Sequence, residues 1–489
     1  MGRWRILVPT VLTRCMLALL LALLAAALWL GAGQSSETKK AFAAAVVALL
    51  AAWKGLPWLS RQLSRLGTVW VWVALTLLCL VVKGAWVVLV QVPMEGDYAT
   101  FWGYATALAQ DPVLDGGRYM ALFPHIFGYA SFLSWFIRLL GQLPLLAQWL
   151  NVLLTICSGS LLFLLAKRWW GLPGGVCAYL LWIVCPSQTM YNSLVLSEPL
   201  YTTLLLLFLY LITGPLPGAF WKAALLGAGV GLVLRWFNGI RPIGAVLIIA
   251  LVLWRFLLAP DGLKESKARW QWLPLMAALA AVYLLTGPLW QGHIAARIGE
   301  EPSSTPGYSI LVGFNAQSRG CWNQEDSNLL NEYSSQPGVT AQQAQEYAME
   351  AAKERITSGQ VDFLQLFREK LRGFLGADSA CVSYSSQVVR HVLWFARACN
   401  AYYYFLLLLA GGGGVMLWRR GDRSAVLLLP LYVLGLTSAQ MLVEVAGRYH
   451  YSILPVLMLL GQGLLFPPHP GREKKLQKKS GNRLTAPGF

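Results

Sequence analysis

Four stretches of this sequence place ionisable residues where they could carry chemistry. The first is Pro93-Met94-Glu95-Gly96-Asp97-Tyr98, in which two carboxylates sit one residue apart directly after an apolar run. In an extended segment, residues two apart project to the same side, so Glu95 and Asp97 are expected to face one site. Such a pair could take a proton from a hydroxyl or hold a divalent cation; the competing reading is an ordinary acidic loop. The second is Glu198, in Ser197-Glu198-Pro199 at the head of an apolar run. Ionisable groups at membrane depth are costly and line cavities. Pro199 marks a helix start, whose dipole favours a carboxylate; the alternative is a helix-terminal acid that touches water. Third come two arginines, Arg241 in Asn238-Gly239-Ile240-Arg241-Pro242 and Arg448 in Glu444-Val445-Ala446-Gly447-Arg448-Tyr449. A guanidinium fork suits a phosphate, while the bland alternative for Arg448 is a pair with Glu444 at i,i+4 spacing. The fourth holds Tyr119 and His125, the latter in Phe123-Pro124-His125, as ligand, acid–base or simply structural groups.

The elements that must position these residues are membrane helices. Hydrophobic residues make up 57% of the 489 and charged residues 12%, against about 25% charged in an average soluble domain. The apolar runs are continuous and do not alternate, which implies helices and excludes a barrel. Spans are expected at 7–31, 41–58, 67–92, 145–166, 171–186, 193–213, 219–237, 240–258, 271–290, 391–418, 424–442 and 448–466, about twelve in all. The net charge of +17 sits in short loops and ends: Arg3, Arg5 and Arg14, then Lys54, Arg61 and Arg65, Lys167-Arg168, Lys264, Lys267 and Arg269, Arg419-Arg420 and Arg423, and a tail from Arg472 to Arg483. That is the pattern of the positive-inside rule, with both termini cytoplasmic. No aromatic-interleaved basic face accompanies the charge, so nucleic acid is not an expected partner.

With that topology, residues 123–140 cannot be a span without inverting every later basic loop, so they are read as an amphipathic helix in the outer interface. Outside lie the loop 93–144, the span ends near Glu198, Arg241 and Arg448, and a polar insertion, 291–390. Within the insertion, Thr340 and Gln343 form a capping box, and Ser358-Gly359 should split the run from Ala341 to Phe374 into two helices. Trp322 is either a sugar-stacking platform or part of the insertion's core. Cys321 and Cys381 could pair if this region is extracytoplasmic, and no cysteine shows metal-ligand spacing. The first apolar run reads as an uncleaved signal anchor. Gly411 to Gly414 lies in a span and lacks the lysine and hydroxyl of a phosphate loop.

Glu95-Gly96-Asp97, the interfacial run that follows, Leu165 to Leu211 with Pro186, Tyr191 and Ser197-Glu198, Arg241-Pro242, Glu444 to Tyr451, and the insertion stretches Gly313-Phe314-Asn315 and Trp322 to Asp326 together resemble the GT-C class of membrane glycosyltransferases. Within it they are most similar to family 39 and the bacterial protein O-mannosyltransferase-like enzymes. The resemblance covers roughly 67–466. It implies an all-α GT-C-like bundle: two extra N-terminal helices (1–66), a catalytic core (67–290) with outer loop 93–144, the extracytoplasmic insertion (291–390), C-terminal helices (391–466) and a basic cytoplasmic tail (467–489). The implied reaction moves a hexosyl or mannosyl unit from a polyprenyl-phosphate donor to a lipid, glycan or protein acceptor, with inversion, at a bacterial plasma membrane. Asp97 would be the base with Glu95 beside it, and Glu198, Arg241, Arg448, Tyr449, His125 and Tyr119 would bind substrate. A divalent cation is possible at Glu95 and Asp97 but not expected to be essential. Two departures stand out: the extra helices, and glutamate where the acidic pair usually opens with aspartate. A transporter or flippase of a lipid-linked saccharide, without covalent chemistry, is the alternative.

Overall fold

The computed structural model describes residues 4–114, 116–260 and 267–468; Arg3, Asp115, Lys264 and the basic tail from Arg472 lie outside the described residues. Among the described residues there are helices and turns but no strand. In chain order the helices are α1 (Trp4–Ala32), α2 (Ser36–Ser64), α3 (Thr68–Leu89), α4 (Gly96–Gln110), α5 (Arg118–Leu122), α6 (His125–Leu140), α7 (Pro144–Val184), α8 (Pro186–Tyr191), α9 (Glu198–Ile212) and α10 (Phe220–Ile240). They continue with α11 (Gly244–Val252), α12 (Lys267–Ile298), α13 (Gly307–Gly313), α14 (Gln324–Ser334), α15 (Ala341–Thr357), α16 (Phe363–Leu375), α17 (Ala380–Tyr384), α18 (Val392–Arg420), α19 (Leu428–Leu442) and α20 (Ile453–Leu465). Among the described residues, eight helical stretches are long and apolar enough to cross a membrane.

One of those eight is two limbs. A straight helix of 41 residues would run about 60 Å, twice the hydrocarbon thickness. Within α7, Gly171 has φ 77° and ψ −179°, a conformation closed to other residues, and the chain folds back there. The Trp182 indole donates to the Thr155 carbonyl at 2.9 Å, and any side chain at Gly159 would run into Tyr179. The limbs are therefore antiparallel, as the separate runs 145–166 and 171–186 anticipated. Elsewhere small residues admit close helix contacts, the usual solution where water supplies no drive for association. Gly227 and Gly231 of α10 meet the backbone of α12 at Leu275 and Leu279, and Gly413 of α18 lies against the Leu460 carbonyl of α20. Gly412, Gly413 and Gly414 of the glycine run are thus a packing surface.

The expected spans 193–213, 240–258 and 448–466 are shorter as helices than as apolar runs. Ordered helix begins at Glu198 and Gly244, and α20 begins only at Ile453 after a 3-10 turn over Gly447–His450. Arg241 and Arg448 lie in the residues shed from these ends, and Glu198 is the first residue of its shortened helix.

The two ends of the bundle differ in charge. At one end Lys167 reaches the Thr68 hydroxyl at 3.3 Å, Arg168 caps the Tyr210 carbonyl at 2.7 Å, and Arg423 binds the Leu258 and Ala259 carbonyls at 2.6 and 2.8 Å. Arg61 and Arg65 stand there beside Leu465. At the opposite end lie the α1–α2 turn, the start of α4, the three shortened span ends and all of α13 to α17.

The insertion is tied down by polar staples. The Thr340–Gln343 capping box forms, and α15 stops at Thr357 before Gly359 turns the chain at φ 73°. Asp326, 1% exposed, takes both arms of Arg355 at 2.7 and 3.0 Å, with Asn315 and Asn323 also donating to it. These bonds hold its carboxyl below the usual range although burial opposes them. Lys370, fully buried, donates to the carbonyls of Gly313, Met441 and Val443 at 2.8, 2.7 and 2.8 Å. Two questions the sequence left open are answered here. Cys321 and Cys381 are unpaired, because Cys381 is buried against the Met190 sulfur at 3.9 Å while Cys321 is only partly covered. Trp322 is 56% exposed and is not core.

Candidate functional site

The site grows from four chain breaks at the insertion end of the bundle. After α3 the chain is extended to Glu95, which flanks α4, and Gly96 turns it into that helix at φ 52°. Glu95 and Asp97 therefore do not share an extended segment, and their carboxylates diverge. Glu95 accepts from the Gln387 amide at 2.9 Å on the surface, whereas Asp97 forms an ion pair with Arg448. The two carboxylates, expected to face one site, thus engage different partners on either side of that left-handed residue. Among the described residues, no group of three or more His, Cys, Asp or Glu side chains is placed to hold a metal ion.

Glu198 opens α9 with Pro199 in the first turn and is completely buried. The preceding loop is braced from within. Asn151 donates to the Leu194 carbonyl at 2.7 Å, Gln188 to the Thr155 hydroxyl at 2.7 Å, and Thr155 to Asn192 at 2.8 Å. Arg241 follows the last turn of α10 and gives Nη2 to Glu198 Oε1 at 2.7 Å. Arg448 reaches the same oxygen with Nε at 3.5 Å while its Nη2 holds Asp97. Arg448 thus bridges two carboxylates, and the i,i+4 pair with Glu444 does not form, because α19 ends at Leu442 and Glu444 is in extended backbone. Glu444 instead accepts from the Tyr449 hydroxyl at 3.2 Å. Burial raises its carboxyl above the usual range against the pull of Arg448.

Aromatic rings pack around the guanidinium groups. Tyr449 lies 4.5 Å from the Arg241 guanidinium carbon and 5.5 Å from that of Arg448, and Tyr201 and Tyr384 lie at 5.5 and 6.0 Å. Cation–π contact of this kind strengthens as water is excluded. Asp97 is 49% exposed and Glu198 1%, so the row of charges leads inward from the surface. Tyr119, 42% exposed, stacks on Tyr104 at 6.2 Å. His125 heads α6, and burial followed by the Arg241 charge pulls its imidazole down to about 4, so it is neutral at pH 7.

The structure therefore brings Asp97, Glu198, Arg241, Arg448 and Tyr449 into one network, places Tyr119 and His125 within its electrostatic reach, and leaves Glu95 outside. It also adds groups that sequence reasoning passed over. His450 Nε2 lies 3.2 Å from Asp378 Oδ1, Ser187 donates to the same carboxylate, and the Asp378 backbone N–H donates to Asn400 at 2.8 Å. This buried knot fixes the turn that carries Arg448. The signal available in the sequence was slight: His450 sits two residues from an arginine already singled out.

Three polar atoms in the network are buried without a hydrogen-bond partner: Glu198 Oε2, Arg241 Nε and Arg448 Nε. Unmet donors and acceptors of this kind are costly, and a polar ligand that accepts from both arginines would satisfy two of them. Two guanidinium groups facing two carboxylates can bind an anion and receive a proton in the same place.

No family model matches the sequence, and no curated protein matches it. Among solved structures the chain is similar to ArnT from Cupriavidus metallidurans bound to undecaprenyl phosphate. That likeness has 14% identity, covers 86% of this chain and 81% of that one, and has a TM-score of 0.36, too loose to transfer a fold or an activity.

Proposed function

We propose that this chain is a GT-C-type membrane glycosyltransferase that moves a sugar from a polyprenyl-phosphate donor to a hydroxyl acceptor at the insertion end of the bundle. The observation that carries the proposal is the convergence of Arg241 and Arg448 on Glu198 and Asp97. The donor phosphate takes the two guanidinium groups, and the lipid chain leaves between helices. Asp97, the most exposed of the four, accepts the proton from the acceptor hydroxyl. The acceptor oxygen bonds to the anomeric carbon as the bond from that carbon to the phosphate oxygen breaks. The phosphate keeps the electron pair, and the arginines stabilise the charge that develops on it. Attack opposite the leaving group inverts the anomeric centre.

The Asp97–Arg448 pair gives donor binding a second consequence. When Arg448 turns to the donor phosphate, Asp97 is released to meet the acceptor hydroxyl. Glu198 stays behind as the fixed counter-charge that keeps both arginines aimed at the same point. By the resemblance to family 39, the sugar is a hexose of the mannosyl type, and the donor-side face is extracytoplasmic by the distribution of basic loops.

The test is transfer of radiolabelled sugar from a panel of polyprenyl-phosphate sugars by purified protein, alongside Asp97→Asn. Transfer or donor hydrolysis that disappears in the variant is the expected result. Turnover that survives Asp97→Asn moves the base elsewhere. No turnover with any donor, together with donor movement across liposomes, replaces the transferase by a flippase.

A further inference from the structure

The two N-terminal helices meet α16 at a groove the proposed transfer site does not use. It encloses ≈ 710 Å³. Its wall is apolar, formed by Ala25, Leu28 and Trp29 of α1 and Phe42 of α2, and Trp29 is 80% exposed. At the insertion end its rim carries Lys39, Arg368 and Arg372 against one carboxylate, Glu369, which approaches Arg372 at 3.4 Å. The groove is fixed in shape because Gly31 of α1 lies against the Gly376 carbonyl just past α16, too close for any side chain at position 31.

The sequence of α16 explains the rim. Burial of Leu366, Lys370, Phe374 and Leu375 turns Leu364, Arg368 and Arg372, each four residues apart, onto one outward stripe, and Leu364 is 83% exposed. Like charges at i,i+4 repel, and Lys39 adds a third positive group to the same rim. The carboxylate nearest Lys39 in sequence is Glu37, already engaged by Lys40 at 2.8 Å and by Arg397. The rim is left with an excess of positive charge that an anion would relieve. An anion without a chain would leave Leu28, Trp29 and Phe42 facing water or detergent, whereas a lipid covers them.

We propose that this groove binds an anionic phospholipid from the leaflet on the insertion side. Its phosphate sits among Lys39, Arg368 and Arg372, and an acyl chain lies along Leu28, Trp29 and Phe42. Through α16 the lipid braces the insertion against α1. The proposal does not depend on the transfer reaction.

To test it, full-length protein is stripped of lipid in detergent and titrated with phosphatidylglycerol, phosphatidylcholine and inorganic phosphate, with binding read by native mass spectrometry. A basic side chain at a charged lipid surface contributes about fivefold to binding, so Arg368→Gln with Arg372→Gln is expected to weaken phosphatidylglycerol binding roughly tenfold or more. The lysine pair Arg368→Lys with Arg372→Lys is expected to retain most of it. Equal binding of the two lipids by the unaltered protein overturns the proposal, as does undiminished phosphatidylglycerol binding in the glutamine variant. Displacement of the lipid by inorganic phosphate makes the rim a free-anion site and also overturns it. If the glutamine variant does not fold, the preference of the unaltered protein and its loss in Lys39→Gln decide the matter.

Discussion

Lys370→Met should loosen the insertion from the bundle without unfolding either. The ammonium of Lys370 is the common donor to three carbonyls, Gly313, Met441 and Val443, all within 2.8 Å. Hydrogen bonds from a charged donor contribute about 1.5–3 kcal/mol each, and a buried acceptor left without a donor costs about 1–3 kcal/mol. Against this, methionine relieves the burial of the charge, which costs several kcal/mol and which pulls the Lys370 ammonium down to about 8. The balance is a loss of about 3 kcal/mol, or about a hundredfold in the opening equilibrium at that contact. The consequence reaches the site, because the same backbone strand is stitched to the insertion by Glu444 N–H to Ser309 and Val445 N–H to Gly320, both at 2.8 Å. Hydrogen–deuterium exchange by mass spectrometry should show amides in 313–320 and 443–449 exchanging about a hundredfold faster, with the α7 and α20 interior unchanged. Exchange within about threefold of the unaltered protein in those segments would refute the reasoning, since the carbonyls would then be satisfied by something other than Lys370.

Three further outcomes are expected. Glu198→Gln keeps an acceptor for Arg241 but removes a charge shared by two guanidinium groups; with Arg448 still paired to Asp97, the loss should be about 2 kcal/mol, less than the 3–5 of a fully broken buried pair, and a thermal midpoint in detergent equal to that of the unaltered protein would mean the pair is solvated. Asp378→Asn weakens the knot with His450 and Ser187 by about 1–3 kcal/mol and should speed exchange at 447–452; restored protection in Asp378→Glu would separate charge from shape. His125 is neutral when folded, with its value lowered to about 4, so the unfolded chain gains protons first as pH falls. The stability it contributes is whole above about pH 6.5 and drains away toward pH 4, and His125→Gln should flatten that part of the pH profile of thermal unfolding.

What the sequence made legible follows from the range of each interaction. Thr340 and Gln343 cap a helix through bonds that span three residues, and Gly359 stops it by its own backbone, so both could be read locally. The clustering of basic residues in short loops anticipated that Lys167, Arg168 and Arg423 would gather at one end. The separate partners of Glu95 and Asp97 could not be read because side-chain direction depended on the φ of the residue between them, and a glycine leaves that angle open. Whether Cys321 and Cys381 pair could not be read for a related reason, since their positions depend on how the insertion folds against Met190 and Lys370, contacts separated by up to nearly two hundred residues.

The site itself lies between these extremes. Asp97, Glu198, Arg241 and Arg448 were each conspicuous, because a charge at the end of an apolar run must find a partner or lose its helix. Their partners could not be read from spacing. Arg448 has Glu444 four residues away and instead holds Asp97, 351 positions earlier, because the chain leaves helical geometry between Leu442 and Ile453. The energetic logic is the same at all three shortened spans. A charge at membrane depth that faces lipid costs several kcal/mol, and Glu198, Arg241 and Arg448 all stand at helix ends or in the turns between helices. Breaking the helices early lets the charges meet one another, and the network that results is held by the fold and left with unmet donors. A charge too expensive to expose and too few partners to satisfy it fully is the condition under which an anion can be bound by exchange of partners, and in the transfer proposed above Arg448 would pass from Asp97 to the donor phosphate.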